Sequence, residues 1–311
     1  MPNFAARLKQ LRTTRNLRQV DLANAMGVAQ TTIANYEQHN RFPDEQTLLK
    51  LAEYFAVSLD YLLGRSEVTI RSDDILRFRA DEAAQAQTLT PAAREYLTQL
   101  LAGSKREAFD RILNQVRTGV PVGEIYRTVL EPSLREVGRL WEANEISIGK
   151  EHYISRATES LMGQLYGQIR FNGRRNAAVV LVTAGAEQHD LGLRMVSDLL
   201  EADGYRCVFL GPGTPAAEVM SALRDNGAEV LAISATLPAN MDSVQTMVRS
   251  VHAEFDGNGP DRPPHVVVGG RAFNLDPTLW QRVGADSYAE HADAAVTTVN
   301  ELLAAGRRGG L

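Results

Sequence analysis

The sequence "AAVVLVTAGAEQHDLGLRM", residues 177–195, shows how the second half of the chain folds. It begins with an apolar run of the length of a buried strand, and an amphipathic helical pattern begins near Leu191 after a polar loop. Further strand-like segments follow, separated by helical patterns, and the five expected strands are 177–183, 205–211, 229–235, 265–270 and 285–290. Strands and helices that alternate in this way predict a doubly wound parallel α/β sheet, covered by helices on both faces.

The composition is that of a soluble chain with two or three domains. Of 311 residues, 44% are hydrophobic and 23% are charged, and the formal net charge is −5. No window approaches the run of about 18 apolar residues that forms a membrane helix, and the amino-terminal segment lacks the apolar centre of a secretion signal. We therefore expect a cytoplasmic location and no membrane partner. Cys207 is the only cysteine, which excludes an internal disulfide and a metal site built from cysteines.

The amino-terminal segment has the pattern of short helices around a tight corner. Apolar residues recur at helical spacing before Gly27, and "QTTIANYEQ" (residues 30–38) resumes a helix with Ile33 and Tyr36 facing inward. Its outward face would carry short polar side chains that can reach base edges in a major groove: Gln30, Thr31, Thr32 and Asn35. Residues 1–20 carry five basic side chains and no acid, so neighbours such as Arg18 can meet phosphates. The helix pair alone would also fit a small bundle with a solvated polar face.

The wider pattern, with "RQVDLANAMGV", "TTIANYE" and "LLKLAEYFAVSLDYLLG", resembles the Cro/C1-type (XRE) helix-turn-helix family over residues 4–64. The resemblance implies an all-α DNA-binding domain at residues 1–65, in which Gln19 begins the second helix and meets the phosphate backbone. The family usually has a glycine where this chain has His39, so that loop departs from the family pattern. Residues 66–90 mix charged and small polar residues without a sustained period and are predicted to form a linker.

A helical region follows the predicted linker. Residues 91–172 show helical segments that are interrupted at residues 103–104, 118–123 and 143–149, which predicts a four-helix bundle. Pro132 has no backbone N–H and should kink or interrupt the third helix.

Three segments follow the predicted strands at their carboxyl ends, where doubly wound sheets bind ligands. They are Glu187-x-His189-x-x-Gly192 after the first strand, Ser234-Ala235-Thr236 after the third, and Gly269-Gly270 after the fourth. No GxGxxG motif follows the first strand, which argues against a dinucleotide site. The "GPG" at residues 211–213 could cradle a phosphate, but a plain turn explains it better.

The histidine of the first segment is the candidate metal ligand. A lone histidine at a helix start is usually a capping or surface residue, but Glu187 could bond one ring nitrogen of His189 and orient the other. Gly192 would let a bulky flat ligand approach the first turn of the helix. No second histidine or cysteine lies nearby to complete a zinc site, so a single protein ligand predicts a metal already held by a macrocycle.

These three segments resemble the cobalamin-binding domain family. The resemblance implies a flavodoxin-like (Rossmann-like) domain at residues 176–306 that binds cobalamin, with His189 replacing the cofactor's own dimethylbenzimidazole as the lower ligand to cobalt. It also implies that the displaced nucleotide tail enters a channel lined by the serine loop, residues 234–236, and by Gly269 and Gly270.

Trp141 and the adjacent pair Glu151 and His152 flank the turn between the third and fourth predicted helices. Taken alone, they could be a core tryptophan and a capping glutamate. Their order within residues 91–306 resembles the CarH/LitR-type adenosylcobalamin-dependent photoreceptor repressors, in which these side chains enclose the upper adenosyl group. Those repressors carry a MerR-type reader instead of a Cro/C1-type one. Members that trap cobalt with a second histidine have it where this chain has Glu142.

The combined resemblances imply a transcriptional regulator and not an enzyme. We expect adenosylcobalamin to stabilise a homo-oligomer, a dimer or tetramer, that acts as a repressor by binding a DNA operator. Light would break the cobalt–carbon bond and release the operator. Two alternatives stay open: a corrinoid methyl carrier of a methyltransferase system, and a cobalamin-level sensor that does not respond to light. The DNA-binding domain argues against the methyl carrier. Trp141 does so too, because its bulk would obstruct a methyl donor at the upper face of the corrinoid.

Overall fold

The protein is described by a computed structural model. It covers residues 4–15, 17–38, 41–55, 57, 59–64, 89–185, 187–255, 263–276 and 278–308. The chain divides into two compact units, Met1–Arg77 and Phe78–Leu311. Most of the predicted linker, and His39 in the loop that departs from the family pattern, lie outside the described residues.

The described residues of the first unit form helices and the turns between them. Its helices are α1 (Phe4–Thr14), α2 (Gln19–Met26), α3 (Gln30–Glu37), α4 (Glu45–Phe55) and α5 (Leu59–Leu62). One apolar cluster joins them, with Leu8, Leu22, Ile33, Leu51 and Leu62 fully buried. The corner between α2 and α3 begins at Gly27, which adopts a left-handed conformation with φ 69° that closes α2 at no steric cost. The predicted helix-turn-helix is confirmed.

The second unit begins with the predicted four-helix bundle. The elements are α6 (Pro91–Leu101), α7 (Lys105–Arg117), α8 (Val122–Ile125), a π-helical segment (Tyr126–Leu130), α9 (Glu131–Glu142) and α10 (Ile148–Tyr166). The third predicted helix is therefore one rod made of α8, the π segment and α9. Tyr96, Tyr126 and Leu161 lie in the apolar core that the helices share.

Pro132 interrupts the third helix of the bundle through the π segment that precedes it. Because residue 132 has no N–H, an α-helix would lack the hydrogen bond to the carbonyl of Thr128 at this point. In the π segment the hydrogen bonds join residues five positions apart instead of four, and the N–H of Glu131 donates to the carbonyl oxygen of Tyr126. The Thr128 carbonyl accepts the hydroxyl of Thr90, the N-cap residue of α6, at 2.9 Å.

The rest of the second unit is a five-stranded parallel sheet. Its strands are β1 (Ala178–Thr183), β2 (Arg206–Gly211), β3 (Val230–Ser234), β4 (His265–Gly269) and β5 (Ser287–Ala289). The strand order is β2-β1-β3-β4-β5, which is the flavodoxin-like order, and all neighbours pair in parallel. The order reverses between β1 and β3, so the crevice at their carboxyl ends is where this topology places a ligand. The predicted sheet is confirmed.

Helices connect the strands and cover the sheet. They are α11 (Leu191–Ala202), α12 (Ala216–Asn226), α13 (Met241–Phe255), α14 (Arg271–Leu275), α15 (Leu279–Val283) and α16 (Ala292–Arg308). α11 packs beside α16, and α12 packs beside α13. α11 has two apolar faces, because Leu193 and Leu200 lie in the core of the sheet while Met195 lies in the core of the bundle. The bundle is thus seated on the helix that follows β1.

Candidate functional site

A cavity of about 870 Å³ lies at the carboxyl ends of the strands, between the sheet and the bundle. Its walls come from α9 and α10 on the bundle side and from the loops after β1, β3 and β4 on the sheet side. Nine of the ten residues predicted to bind a cofactor line it: Trp141, Glu151, His152, His189, Gly192, Ser234, Thr236, Gly269 and Gly270. The tenth, Glu187, is fully buried behind this lining.

His189 is held at the cavity wall by the buried carboxylate of Glu187. Nδ1 of the imidazole hydrogen-bonds Oε1 of Glu187, and the same oxygen accepts the backbone N–H groups of Gln188 at 3.1 Å and His189 at 3.2 Å. The His189 side chain is 53% exposed, whereas that of Glu187 is 0% exposed. Because Nδ1 faces Glu187, Nε2 is on the opposite edge of the ring and is the nitrogen available to a ligand in the cavity.

The second oxygen of Glu187 ties the histidine loop to the loop after β3. Oε2 accepts the backbone N–H groups of Thr236 at 2.8 Å and Leu237 at 2.9 Å, and Nδ2 of Asn240 at 3.1 Å. Burial raises the pKa of this carboxyl, but its hydrogen bonds from His189 and from the backbone outweigh burial and hold the pKa at about 2. The same hydrogen bond raises the pKa of His189. Glu187 is therefore a charged acceptor that fixes the imidazole ring and its tautomer.

The paired glycines let the β4 loop pack against its neighbours without side chains. A Cβ on Gly269 would lie 2.8 Å from the carbonyl oxygen of Ala289. Gly270 has φ 97°, and a Cβ there would lie 2.6 Å from the carbonyl oxygen of Ala235. Both glycines line the cavity, so backbone forms this part of its floor, next to the side chain of Ser234. By contrast, Gly192 has open space around its missing Cβ, as a close approach by a ligand would require.

The bundle supplies the opposite wall. Trp141, at the end of α9, keeps 42% of its surface exposed although it is a large apolar residue. Glu151 and His152, near the start of α10, line the same cavity, and Nε2 of His152 lies 3.5 Å from Oε2 of Glu151. The other oxygen of Glu151 accepts the Ser155 hydroxyl at 2.7 Å. The structure thus brings these three predicted residues to the same cavity as His189.

Two charged residues of this cavity were not predicted as a pair. Arg271, the first residue of α14, makes a two-pronged ion pair with Glu142, the last residue of α9, and its Nη2 lies 3.0 Å from Oε2. Arg271 directly follows the paired glycines and Glu142 directly follows Trp141, which are the only local signals in the sequence. Among the described residues, no group of three or more His, Cys, Asp and Glu side chains is arranged to hold a metal ion.

The predicted DNA-reading face of the first unit is exposed at three of its four positions. Gln30, Thr31 and Asn35 are exposed on α3, and Thr32 is half-buried. Gln19, at the start of α2, is half-buried and donates through Nε2 to Oε2 of Glu37 at 2.9 Å. The second hydrogen of this amide can still reach a phosphate.

The basic residues near the amino terminus contribute less to a DNA-facing patch than their number indicates. Arg7 is buried with its guanidinium 4.1 Å from the Tyr61 ring centroid, and Arg12 forms a two-pronged pair with the buried Glu37. Arg15 donates to carbonyl oxygens at the end of α4. Arg18 is exposed and forms a capping box with Asp21 at the start of α2. Arg7, Arg12 and Arg15 are thus engaged in contacts within the domain itself.

Comparison with known families confirms the predicted resemblances to a helix-turn-helix domain and to a cobalamin-binding domain. Residues 5–67 match the family described as a helix-turn-helix domain, and residues 93–166 and 177–297 match two families that are each described as a B12 binding domain. The chain therefore combines a region similar to helix-turn-helix domains with two regions similar to B12 binding domains. Among the described residues, no helix has the length and apolar character needed to cross a membrane.

Each of the individual relatives matches either the helix-turn-helix region or the second unit, but not both. The dimethylamine corrinoid protein 3 of Methanosarcina acetivorans is 24% identical over 201 residues, which cover 64% of this chain and 91% of that protein. The HTH-type transcriptional regulator ImmR of Bacillus subtilis is 39% identical over 84 residues, which cover 27% of this chain and 66% of that protein. The solved monomethylamine corrinoid protein of Methanosarcina barkeri matches with a TM-score of 0.58 and 22% identity, covering 70% of this chain and 98% of that one.

Proposed function

We propose that this protein is a transcriptional regulator that binds an operator through its helix-turn-helix domain and senses adenosylcobalamin through its second unit, with light as the signal. The observation that carries the proposal is the pairing of His189 with the buried Glu187, opposite Trp141 across one cavity, in a chain that also has a DNA reader. The similarity to B12 binding domains supports cobalamin as the ligand.

The residues of the cavity fit this cofactor. Nε2 of His189 offers one imidazole ligand, and the hydrogen bond from Nδ1 to a carboxylate makes that imidazole a better donor to a metal. The glycine floor and the Ser234 hydroxyl leave room for an extended tail beside β4. The exposed indole of Trp141 can cover a group on the opposite side of a flat macrocycle. Bound adenosylcobalamin would supply a cobalt–carbon bond that green light breaks.

The chain's own part in the switch is to make contacts that depend on the upper group. Trp141, Glu151 and His152 belong to the bundle, whereas His189 belongs to the sheet, so a group enclosed between them links the two parts. A ligand shifts a conformational equilibrium only by its difference in affinity for the two states. Trp141, Glu151 and His152 would make their contacts only while the upper group is present, whereas His189 would hold the cofactor in either case, so the favoured state would depend on the upper group.

DNA binding would respond through oligomerisation. Helix-turn-helix proteins commonly read paired half-sites as dimers, and two linked readers gain affinity through their effective concentration. We propose a dimer or tetramer that holds the operator when adenosylcobalamin is bound and dissociates after illumination. The protein would act as a repressor without catalysing a reaction.

A methyl-carrying role is the second candidate, because the second unit resembles corrinoid proteins named for methylamines. In that role the upper face of the cofactor must be open to a methyl donor. Trp141 reduces this access. A methyl carrier also does not need a DNA-binding surface such as the exposed polar face of α3.

Gel-shift and sizing experiments in darkness and under green light test the proposal. The purified full-length chain, loaded with adenosylcobalamin, should form a larger assembly and bind fragmented genomic DNA more tightly in the dark than in the light. His189→Ala serves as the control that removes the lower ligand. An equal response to cobalamin in both conditions would indicate a sensor that does not respond to light. Methyl transfer to and from the bound corrinoid, without any effect on DNA binding, would indicate the carrier.

A further inference from the structure

The ion pair between Arg271 and Glu142 joins the two walls of the cavity. Its carboxylate belongs to the last residue of α9 and its guanidinium to the first residue of α14. We call it the cap–sheet ion pair, where the cap is the helical bundle formed by α6 to α10. Both side chains line the cavity, and they are separated by 129 positions in the sequence. A contact of this kind can set the distance between the bundle and the sheet at the wall of the cavity.

Each side of the cap–sheet ion pair is attached to stiff backbone. On the bundle side, the chain turns immediately after α9 at Asn144, whose φ of 58° is the only left-handed non-glycine conformation in the described residues. Two hydrogen bonds close this turn, from Asn144 N–H to the Trp141 carbonyl at 2.9 Å and from Glu145 N–H to the Leu140 carbonyl at 2.8 Å. The backbone that carries Glu142 and Trp141 is therefore held in place at this end of α9.

On the sheet side, Arg271 follows the glycine pair that is packed against backbone. Gly270 lies close to the β3 loop, since a Cβ built on it would be 2.6 Å from the Ala235 carbonyl oxygen. Two backbone hydrogen bonds join the loops, from Ala235 N–H to the Gly269 carbonyl at 3.0 Å and from Ala272 N–H to the Ala235 carbonyl at 3.2 Å. The same β3 loop carries Thr236 and Leu237, whose N–H groups hold Glu187 and, through it, His189. Arg271 is thus connected by short, rigid links to the carboxylate that orients the imidazole.

The cap–sheet ion pair is better shielded than a comparable pair outside the cavity. Its side chains are 26% and 28% exposed. Arg127 of the π segment and Asp293 of α16 also connect the bundle to the sheet, but they are 3.3 Å apart and 55% and 41% exposed. Because partly buried, two-pronged pairs are screened less than exposed ones, the cap–sheet ion pair should be the stronger of the two connections.

We propose that the cap–sheet ion pair is a specificity-determining contact: it fixes the separation of Trp141 from His189, and thereby selects the size of the group on the upper face of the bound corrinoid. This inference rests on the proposed function, because it assumes that the cavity holds cobalamin between these two side chains. Arg271 and Glu142 act as positioning residues. The pair favours a large upper group that fills the fixed space, and a loosened cap should accept large and small groups more equally.

The test compares adenosylcobalamin with hydroxocobalamin in the dark, by measuring the dissociation constants of both for the full-length protein. Glu142→Gln and Arg271→Gln should each lower the preference for the adenosyl form by about fivefold, as expected from losing a partly buried ion pair. The charge swap Glu142→Arg with Arg271→Glu should restore most of the preference. Arg127→Gln, which breaks the pair outside the cavity, is the matched control and should leave the preference unchanged.

A second measurement does not need the cofactor. In a Trp280→Phe background, Trp141 is the only indole, and its quenching by acrylamide reports how tightly the end of α9 is held. Glu142→Gln should increase quenching in the free protein, and the charge swap should reverse the increase. An unchanged preference in Glu142→Gln, or an equal loss in Arg127→Gln, would overturn the inference.

A wild-type protein that binds neither cobalamin would defeat the proposed function. In that event the quenching measurement decides whether the ion pair holds the cap at all. Quenching that rises in Glu142→Gln and falls again in the swap would support the positioning role, and identical quenching in all variants would overturn it.

Discussion

Replacing Glu187 by glutamine exchanges one carboxylate oxygen for an NH₂ group and should move the proton of the His189 ring from Nδ1 to Nε2. In the wild type, both carboxylate oxygens accept: Oε1 from the histidine loop and Oε2 from Thr236, Leu237 and Asn240. Glutamine has only one accepting oxygen, so its NH₂ group must face donors on one side. If the oxygen stays with Thr236 and Leu237, the NH₂ group faces Nδ1 of His189. Nδ1 must then accept, which places the proton on Nε2, the nitrogen that the proposed ligation of cobalt would use.

The size of the effect follows from these contacts. Loss of the carboxylate partner of a metal-binding histidine typically weakens ligand binding about 10- to 100-fold, or about 1.4 to 2.7 kcal/mol. The fold should also lose stability, because the pKa of Glu187 falls from 4.5 in a free carboxyl to about 2 in this site. The charged form therefore stabilises the fold by roughly 3 kcal/mol above pH 4.5, and this contribution disappears as the pH falls toward 2. The free energy of unfolding of the glutamine variant should therefore not fall in this way as the pH is lowered from 4.5 toward 2.

Spectrophotometric titration with hydroxocobalamin measures the affinity and also the spectrum of imidazole-ligated cobalt. Urea unfolding at several pH values between 3 and 7 measures the stability. Glu290→Gln is the matched control, because Glu290 is an exposed carboxylate that directly follows β5 and lines the same cavity. If Glu187→Gln bound hydroxocobalamin with wild-type affinity and an unchanged spectrum, the assignment of His189 and its tautomer would be refuted.

Three further changes probe other parts of the molecule. Asn35→Ala, on the exposed face of α3, should weaken binding to the preferred operator by about 1 to 3 kcal/mol and relax base choice, as judged by selection from a random DNA pool; an unchanged preference would mean that the recognition face is elsewhere. Gly270→Ala should lower the free energy of unfolding by about 2 to 4 kcal/mol, because φ is 97° and the new Cβ would press on the Ala235 carbonyl; an unchanged urea midpoint would contradict this. Burial raises the pKa of Asp198, which accepts the Tyr126 hydroxyl at 2.6 Å, to about 6. Its contribution to stability should therefore decrease by about 2 to 3 kcal/mol between pH 4 and pH 6, and Asp198→Asn should remove that slope in urea unfolding.

The predictable parts of this protein are those in which sequence neighbours interact. The strands could be located because a strand buried on both faces needs an unbroken apolar run, and β1 is buried along its whole length. Glu187 and His189 could be paired because they are two positions apart in one loop. Pro132 predicted an interruption from its missing N–H, although its form, a π segment closed by the Thr90 hydroxyl, depends on a helix that lies nearby only in the folded bundle.

Sequence determined which segments become strands and helices, where the carboxyl ends of the strands meet, and which residue types collect there. Only the tertiary structure decided which partners the charged side chains contact. Arg7 and Arg12 resemble DNA contacts in the sequence, yet folding buries one against Tyr61 and pairs the other with Glu37. Likewise, nothing near Glu142 identifies Arg271 as its partner. The physical reason is that local patterns report periodicity and propensity, whereas the partner of a charge is set by distances that exist only after distant segments have packed together.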